Sequence, residues 1–149
     1  YACFTSQEEV GLRGARVAAY AVDPDAAFAL EGTICDDLPK EQDKTPVTEV
    51  GKGPAITFMD RSFIADQRLV KLLTSTAEAE GIPCQFKRAA AGGTDAGAIH
   101  LAREGVPSVT VAVPCRYIHA PASVLSLNDL ENTVQLLAAA IKKMNGGLA

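Results

Sequence analysis

Short apolar, strand-like runs alternate along this chain with segments of helical spacing, and that alternation admits few folds. The strand-like runs are Tyr1–Thr5, Ala26–Leu30, Pro54–Met59, Cys84–Lys87 and Ser108–Val113. Between and after them, residues 12–20, 62–80, 95–104 and 127–144 carry helical patterns. Strands alternating with helices predict a doubly wound α/β fold, a mostly parallel sheet with helices on both faces. Tyr1–Thr5 is apolar almost throughout, the pattern of a strand buried on both sides.

The helical segments carry their own punctuation. Leu12, Ala15, Val17, Ala19 and Tyr20 recur at helical spacing, as do Ile64, Leu69, Leu72, Leu73 and Ala77, with Gly81 as the stop. Ser126-Leu127-Asn128-Asp129 resembles a capping box, and Leu130, Val134, Leu137, Ile141 and Met144 predict one buried stripe. Lys142 and Lys143 then face the negative end of the helix dipole, before Asn145-Gly146. Residues 36–53 are polar, with Pro39, Pro46, Gly51 and Gly53, and predict a long surface loop with a functional or attachment role.

A chain of 149 residues is long enough for one domain with a real core. Its net charge of −4 argues against a nucleic-acid partner, because neutralising phosphate needs a basic face. No apolar run reaches the ~20 residues that span a bilayer, so no membrane partner is expected. The four cysteines, Cys3, Cys35, Cys84 and Cys115, include no C-x-x-C pair, and reduced thiols in a cytosolic setting are expected. Cys3 and Cys84 fall in predicted strands, where free cysteine packs as a small hydrophobe. The chain opens on Tyr1 inside a predicted core strand, which suggests a piece of a longer protein.

In open α/β sheets, ligands bind beyond the carboxyl ends of the strands. The runs deliver, in turn, Glu8 and Glu9, Glu31, Asp60 and Arg61, Gly92-Gly93-Thr94-Asp95, and Cys115-Arg116-Tyr117-Ile118-His119. Carboxylates with imidazole form a zinc-type ligand set, and a catalytic zinc keeps one position open for water. Adjacent side chains at a strand end point in different directions, so of two neighbouring glutamates one can bind metal while the other moves a proton. Other readings stay open. Glu8 with Glu31 could flank a glycosidic bond, Cys115 with His119 could form a nucleophile pair, and Asp95 could serve only as a helix cap. His100, between Ile99 and Leu101, reads as structural. The glycine-rich stretch lacks both nucleotide-binding patterns.

The stretches TSQEEVGLRGA, ALEGTICDD, GGTDAGAIHLAREGVPSVTVAVPCRYIHAP and LNDLENT together resemble the glutamyl and tetrahedral aminopeptidase family, cytosolic dinuclear metallopeptidases of which some carry an endoglucanase label. The resemblance implies a hydrolase that releases N-terminal residues from peptides, with two divalent ions, zinc or cobalt. It makes Glu8 the general base, Glu9 and His119 ligands of one metal, and Glu31 a ligand of the other. Gly92, Gly93, Thr94, Asp95 and Arg116 would line the substrate crevice or support it. It also implies a homo-oligomer. Residues 1–149 match only the C-terminal part of the family's catalytic domain. The N-terminal segment and an inserted dimerisation domain fall outside that match, and with them a first histidine ligand and a bridging aspartate. The implied metal site of this chain is therefore incomplete, and the chain alone is expected to be inactive. The rival from another class is a non-catalytic subunit or binding module that keeps the fold.

Overall fold

The computed structural model describes residues 1–39 and 45–144. The expected Asn145-Gly146 stop and the middle of the expected 36–53 loop lie outside the described residues. Four helices and five strands follow in the order α1 (Arg13–Val22), β1 (Ala27–Ile34), β2 (Ala55–Thr57), α2 (Gln67–Glu80), β3 (Gln85–Phe86), α3 (Ala96–Ile99), β4 (Ser108–Arg116), β5 (Val124–Leu125) and α4 (Leu127–Lys143). The sheet order is β1-β4-β2-β3, with β5 beside the end of β4. The fold is α/β, as the sequence predicts, and the sheet is mixed. β1 runs parallel to β4 and β2 parallel to β3, while β2 and β5 run antiparallel to β4.

β4 is the spine. Its β-branched run is buried from Ser108 to Cys115, as a strand covered on both faces must be. Successive side chains alternate in direction, and residues opposite each other across a ladder share a face. Val109 and Val111, with Ile56 of β2, join Leu69 and Leu73 of α2 and Leu136 and Leu137 of α4 in the main core. On the other face, Thr110 meets Thr94, just before α3, at 2.7 Å between hydroxyls. With α1 packed on α3 and α2 on α4, helices cover both faces.

Several element ends differ from expectation. Tyr1–Thr5 forms no strand: it joins no ladder, and Tyr1 and Phe4 are fully exposed. An apolar run becomes a strand only where a neighbour takes its backbone groups, and no described strand does so here. The second helix begins at Gln67, five residues late. Asp60 Oδ1 accepts from Ser62 N and Phe63 N, which folds those residues into a turn and leaves Ile64 exposed. Asp66 then caps the helix by accepting from Arg68 N. At its far end Gly81 adopts φ +66 and donates to Ala77 O and Glu78 O. α3 is a single turn, ended by the reversal in which Val106 N returns to His100 O. In α1 only Ala15 and Ala19 are buried, and Val17 and Tyr20 face out.

The predicted stripe of α4 holds at Leu137, which is buried, and at Met144, which packs against the core, and is corrected at its other positions. Leu130, Val134 and Ile141 are exposed, and the inward residues are Asp129, Thr133, Leu136, Leu137 and Ala140. Asp129, which is 1% exposed, sets this phase together with Leu136, Leu137 and Ala140 in the main core. Asp129 Oδ2 accepts from Gly51 N at 2.7 Å and its Oδ1 from Gly53 N at 2.9 Å. Holding Asp129 inward rotates its helical neighbours at 133, 136 and 140 inward with it, and turns Leu130 and Val134 outward. Ser126 caps the helix by accepting from Asp129 N, as the capping-box pattern predicts.

Asp129→Ala removes both acceptors from two loop amides, one of them on buried Gly53, and should cost about 2–3 kcal/mol in urea denaturation. Val134→Gln should stay within about 0.5 kcal/mol, whereas Leu136→Ala should lose about 2–5 kcal/mol. A larger loss at Val134 than at Leu136 would restore the stripe expected from sequence.

Candidate active site

The segment that carries Glu8 and Glu9 is a tight loop folded back on the start of α1. Glu8 O accepts from Gly11 N and Leu12 N, and Gly14 N donates to Ser6 O at 2.9 Å. Gln7, Gly11 and Leu12 all have positive φ. Gly14 lies so close to the Ser6 backbone that a Cβ there would collide with it. The loop is tied to the opening of α3 by Thr5, whose hydroxyl donates to Asp95 Oδ2 at 2.5 Å. Asp95 is therefore not a side-chain helix cap. Its Oδ1 is buried without a hydrogen-bond partner among the described residues.

Across from this loop, the turn that follows β4 brings His119 Nδ1 to 3.2 Å from Glu9 Oε1, both side chains being largely exposed. Glu9 and His119 thus meet, although they come from opposite ends of the sequence. Glu31 is placed differently from expectation. β1 does not end at Leu30 but runs to Ile34, so Glu31 sits inside the strand, opposite Ala112. Its side chain rises from the sheet face that also carries Thr110, not beyond a strand end. Burial pushes its carboxyl up to about 8, and the charges of Glu8 and Asp95 add to that. Lys87 opposes the shift, and Asp60 adds to it. Glu8 is likewise raised by burial and then by Glu9 and Asp95, with His119 opposing. Glu8, Glu9, Glu31, Asp95 and His119 therefore form one electrostatically coupled group around the expected crevice.

Asp60 and Arg61 do not leave the sheet at the same end as His119. Because β2 runs against β4, they emerge where β4 begins, and Asp66 N donates to Ser108 O there. Their turn instead supports the glycine-rich wall. Arg61 N donates to Gly92 O at 3.0 Å, and Ser62 Oγ seats against Gly93 and Gly97, where a Cβ on Gly97 would collide with it. Asp60 is buried, with Oδ2 unpartnered. Thr94 is spent inside the protein on Thr110. Arg116 forks onto Asp37 at 2.7 and 2.9 Å and holds that carboxyl well below the usual carboxylate range.

His100 is structural, with Nδ1 3.1 Å from Ala96 O and its ring beside Phe63. Cys115 is buried and its thiol is pushed up by burial, while its Sγ–H points at Val113 O. Its register opposite Ile34 places it on the sheet face away from Glu31, so the Cys115–His119 nucleophile pair is not formed. All four cysteines are free thiols; Cys3 lies exposed in the unpaired first segment, and Cys84 just precedes β3. Among the described residues no helix is long and apolar enough to cross a membrane. Lys87, unmarked by any motif, is a cation that acts on Glu31 and that sequence reasoning missed. It lies one residue beyond β3 and alternates with Gln85, which is no signal in the sequence alone.

Residues 1–136 match the model of the M42 glutamyl aminopeptidase family. The chain belongs to that family. It is 34% identical to the lysyl aminopeptidase of Pyrococcus furiosus over 145 residues, 97% of this chain and 40% of that relative. The TET aminopeptidase of a marine-sediment Thaumarchaeota archaeon superposes with a TM-score of 0.91 at 43% identity, over 97% of this chain and 40% of that one. The TET1 peptidase of Pyrococcus horikoshii, which can assemble into a tetrahedron or a large octahedral shell, gives a TM-score of 0.75 at 37% identity, over 91% and 38%. The chain therefore spans about two-fifths of the length of these relatives.

The Glu31 shift fixes a sign. Folded Glu31 keeps its proton up to about pH 8, whereas the unfolded side chain loses it near 4.5. The folded state binds more protons in that window, so stability falls as pH rises from about 5 to 8. Asp37 acts oppositely: its stabilisation is present above the ordinary carboxylate range and is lost in acid. Glu31→Gln should flatten the decline between pH 5 and 8 and gain about 2 kcal/mol at pH 8. Thermal melts across that range are the measurement, and an unchanged slope would refute the assignment.

Proposed function

We propose that this chain is the C-terminal part of the catalytic domain of a metal-dependent aminopeptidase that releases N-terminal residues from peptides. The observation that carries this reading is the Glu9–His119 contact at 3.2 Å, with Glu8 adjacent in sequence and Glu31 sharing its electrostatic environment. An oxygen and an imidazole nitrogen that face each other so closely can both turn to one divalent cation. A crevice crowded with carboxylates gains most from such a charge. The fit is partial. Among the described residues no three His, Cys, Asp or Glu side chains gather around one point. Glu9 and His119 would hold one ion and Glu31 would contribute to a second, with further ligands supplied from outside this chain.

A bound divalent ion would supply a water acidic enough to attack a peptide carbonyl at neutral pH. This chain's own part is proton transfer and positioning. Glu8, its carboxyl raised above the ordinary carboxylate value by burial and by neighbouring acids, is suited to accept a proton and pass it to the leaving amine. Gly92 and Gly93 leave the crevice wall free of side chains, so a peptide backbone can approach closely. Side-chain preference is not assigned, since the family name says glutamyl while one relative is a lysyl aminopeptidase. We further propose a homo-oligomer, supported by the assemblies of the Pyrococcus horikoshii relative. A cytoplasmic setting is supported by the four free thiols.

In a family-length enzyme containing this segment, Glu8→Gln should lower kcat by about 10²–10⁴ while metal content stays within about twofold. Loss of metal from that variant would make Glu8 a ligand and overturn the division of roles. The present chain should release no detectable amino acid from aminoacyl p-nitroanilides and should hold zinc or cobalt weakly in calorimetric titration. Tight binding of two ions by this chain alone would overturn the half-site reading.

A further inference from the structure

The crevice is built almost wholly from acids, yet one cation reaches it. Lys87 follows β3, and its N–H donates to Ile56 O at 3.0 Å, extending the β2–β3 pairing by one step. Ladder by ladder, Glu31 stands opposite Ala112, Ala112 opposite Ala55, and Ala55 opposite Gln85. Side-chain alternation returns Lys87 to the same face as Gln85, and so to the face of Glu31. Its neighbour Arg88 goes the other way, donating to Pro46 O and pairing with Glu49. The Lys87 ammonium is tethered as well: Nζ donates to Ala91 O at 2.8 Å, one residue before the glycine-rich wall. Glu31 feels Lys87 together with the acids Glu8, Asp95 and Asp60, and no other cation acts on it among the described residues.

We propose that Lys87 is the internal counter-charge of this crevice, a positioning residue whose ammonium occupies the field a divalent cation would occupy and competes with it. Two consequences follow from charge and reach. In the metal-free chain the ammonium offsets part of the repulsion among the acids while its tether holds the Ala91-Gly92 segment in place. When a cation arrives, the same fixed charge raises the cost of binding it. Lys87 thereby sets how readily the crevice takes and releases metal, without being a ligand. The proposal rests on reading the crevice as a divalent-cation site, and not on any peptidase activity of this chain.

Cobalt titrations of the present chain test it, followed by calorimetry and by cobalt absorption at low and at moderate salt. Lys87→Met should bind cobalt about five- to tenfold more tightly than the unmodified chain at low salt. The gap should shrink at moderate salt, as an interaction between separated charges must. Lys87→Gln, which keeps a donor for Ala91 O but loses the charge, should gain as much and provides a second variant if methionine disturbs the fold. Lys87→Arg should stay within about twofold, and so should Lys71→Met, which removes an exposed positive charge from α2. Equal or weaker binding by both Lys87→Met and Lys87→Gln, an equal gain from Lys71→Met, or no cobalt binding by any variant would overturn the proposal. Tighter cobalt binding with no hydrolysis by the family-length enzyme would leave it standing and remove the peptidase reading instead.

Discussion

Eight residues of β1 lie in unbroken parallel register along β4, and the candidate site depends on that ladder. Register is an all-or-none property: a slip of one residue would turn every β1 side chain to the other face. In the register observed, Glu31 stands opposite Ala112 on the face shared with Thr110, where the opening of α3 and the Glu8–Glu9 loop close over it. The same ladder carries β4 past Pro114 to Cys115 and β5 pairs Arg116, so the turn bearing His119 starts two residues beyond the end of β1 on its partner strand. Gly32 serves the ladder directly, because a Cβ there would press on Cys115 Sγ at 3.3 Å. One hydrogen-bonded interface thus sets both the position of a buried carboxylate and the origin of the loop that reaches Glu9.

The second constraint is the Asp129 clamp, which works on the other side of the sheet. A buried carboxylate is costly unless its oxygens are satisfied, and here each oxygen takes a backbone amide from the loop leading into β2. The clamp couples the phase of α4 to the start of β2. β2 in turn pairs with β4 and with β3, and β3 delivers Lys87. Gly53 belongs to the same arrangement: its φ of +81 and its contact with the Pro83 backbone leave no room for a side chain. Packing far from the crevice therefore fixes which strand end presents which charge.

How much of this was legible in the sequence depended on whether the deciding force was local. The Ser126 cap, the stop at Gly81 and the β-branched β4 were readable, because each is decided by neighbouring residues. The phase of α4 was not, since apolar spacing favours Leu130 and Val134 while a contact across the fold holds Asp129 inward. The failed first strand has the same origin: apolar content marks Tyr1–Thr5 as a strand, but a strand also needs a partner edge. At the site, carboxylates following strands were visible as chemistry. Their direction was not, because the antiparallel placement of β2 sends Asp60 to the opposite end of the sheet. Lys87 was silent because a single lysine just past a two-residue strand carries no pattern.

Backbone strain gives an independent reason to place function at the Glu9–His119 contact. Six non-glycine residues among those described have positive φ, and four of them, Gln7, Leu12, Tyr117 and His119, lie in the two loops that make this contact. A left-handed backbone at a non-glycine residue costs of order 1–2 kcal/mol, so these loops hold conformations that local preference opposes. The remaining two, Asp23 and Arg103, have an evident structural return. Asp23 N–H closes α1 on Ala19 O, and Arg103 stacks on the Tyr20 ring at 3.6 Å while donating to Tyr20 O. No comparable packing gain attends His119, whose side chain is 67% exposed. An exposed imidazole held by a strained turn against an equally exposed carboxylate contributes little to stability. On the proposed reading, the arrangement gains its value when a divalent ion draws both groups to itself.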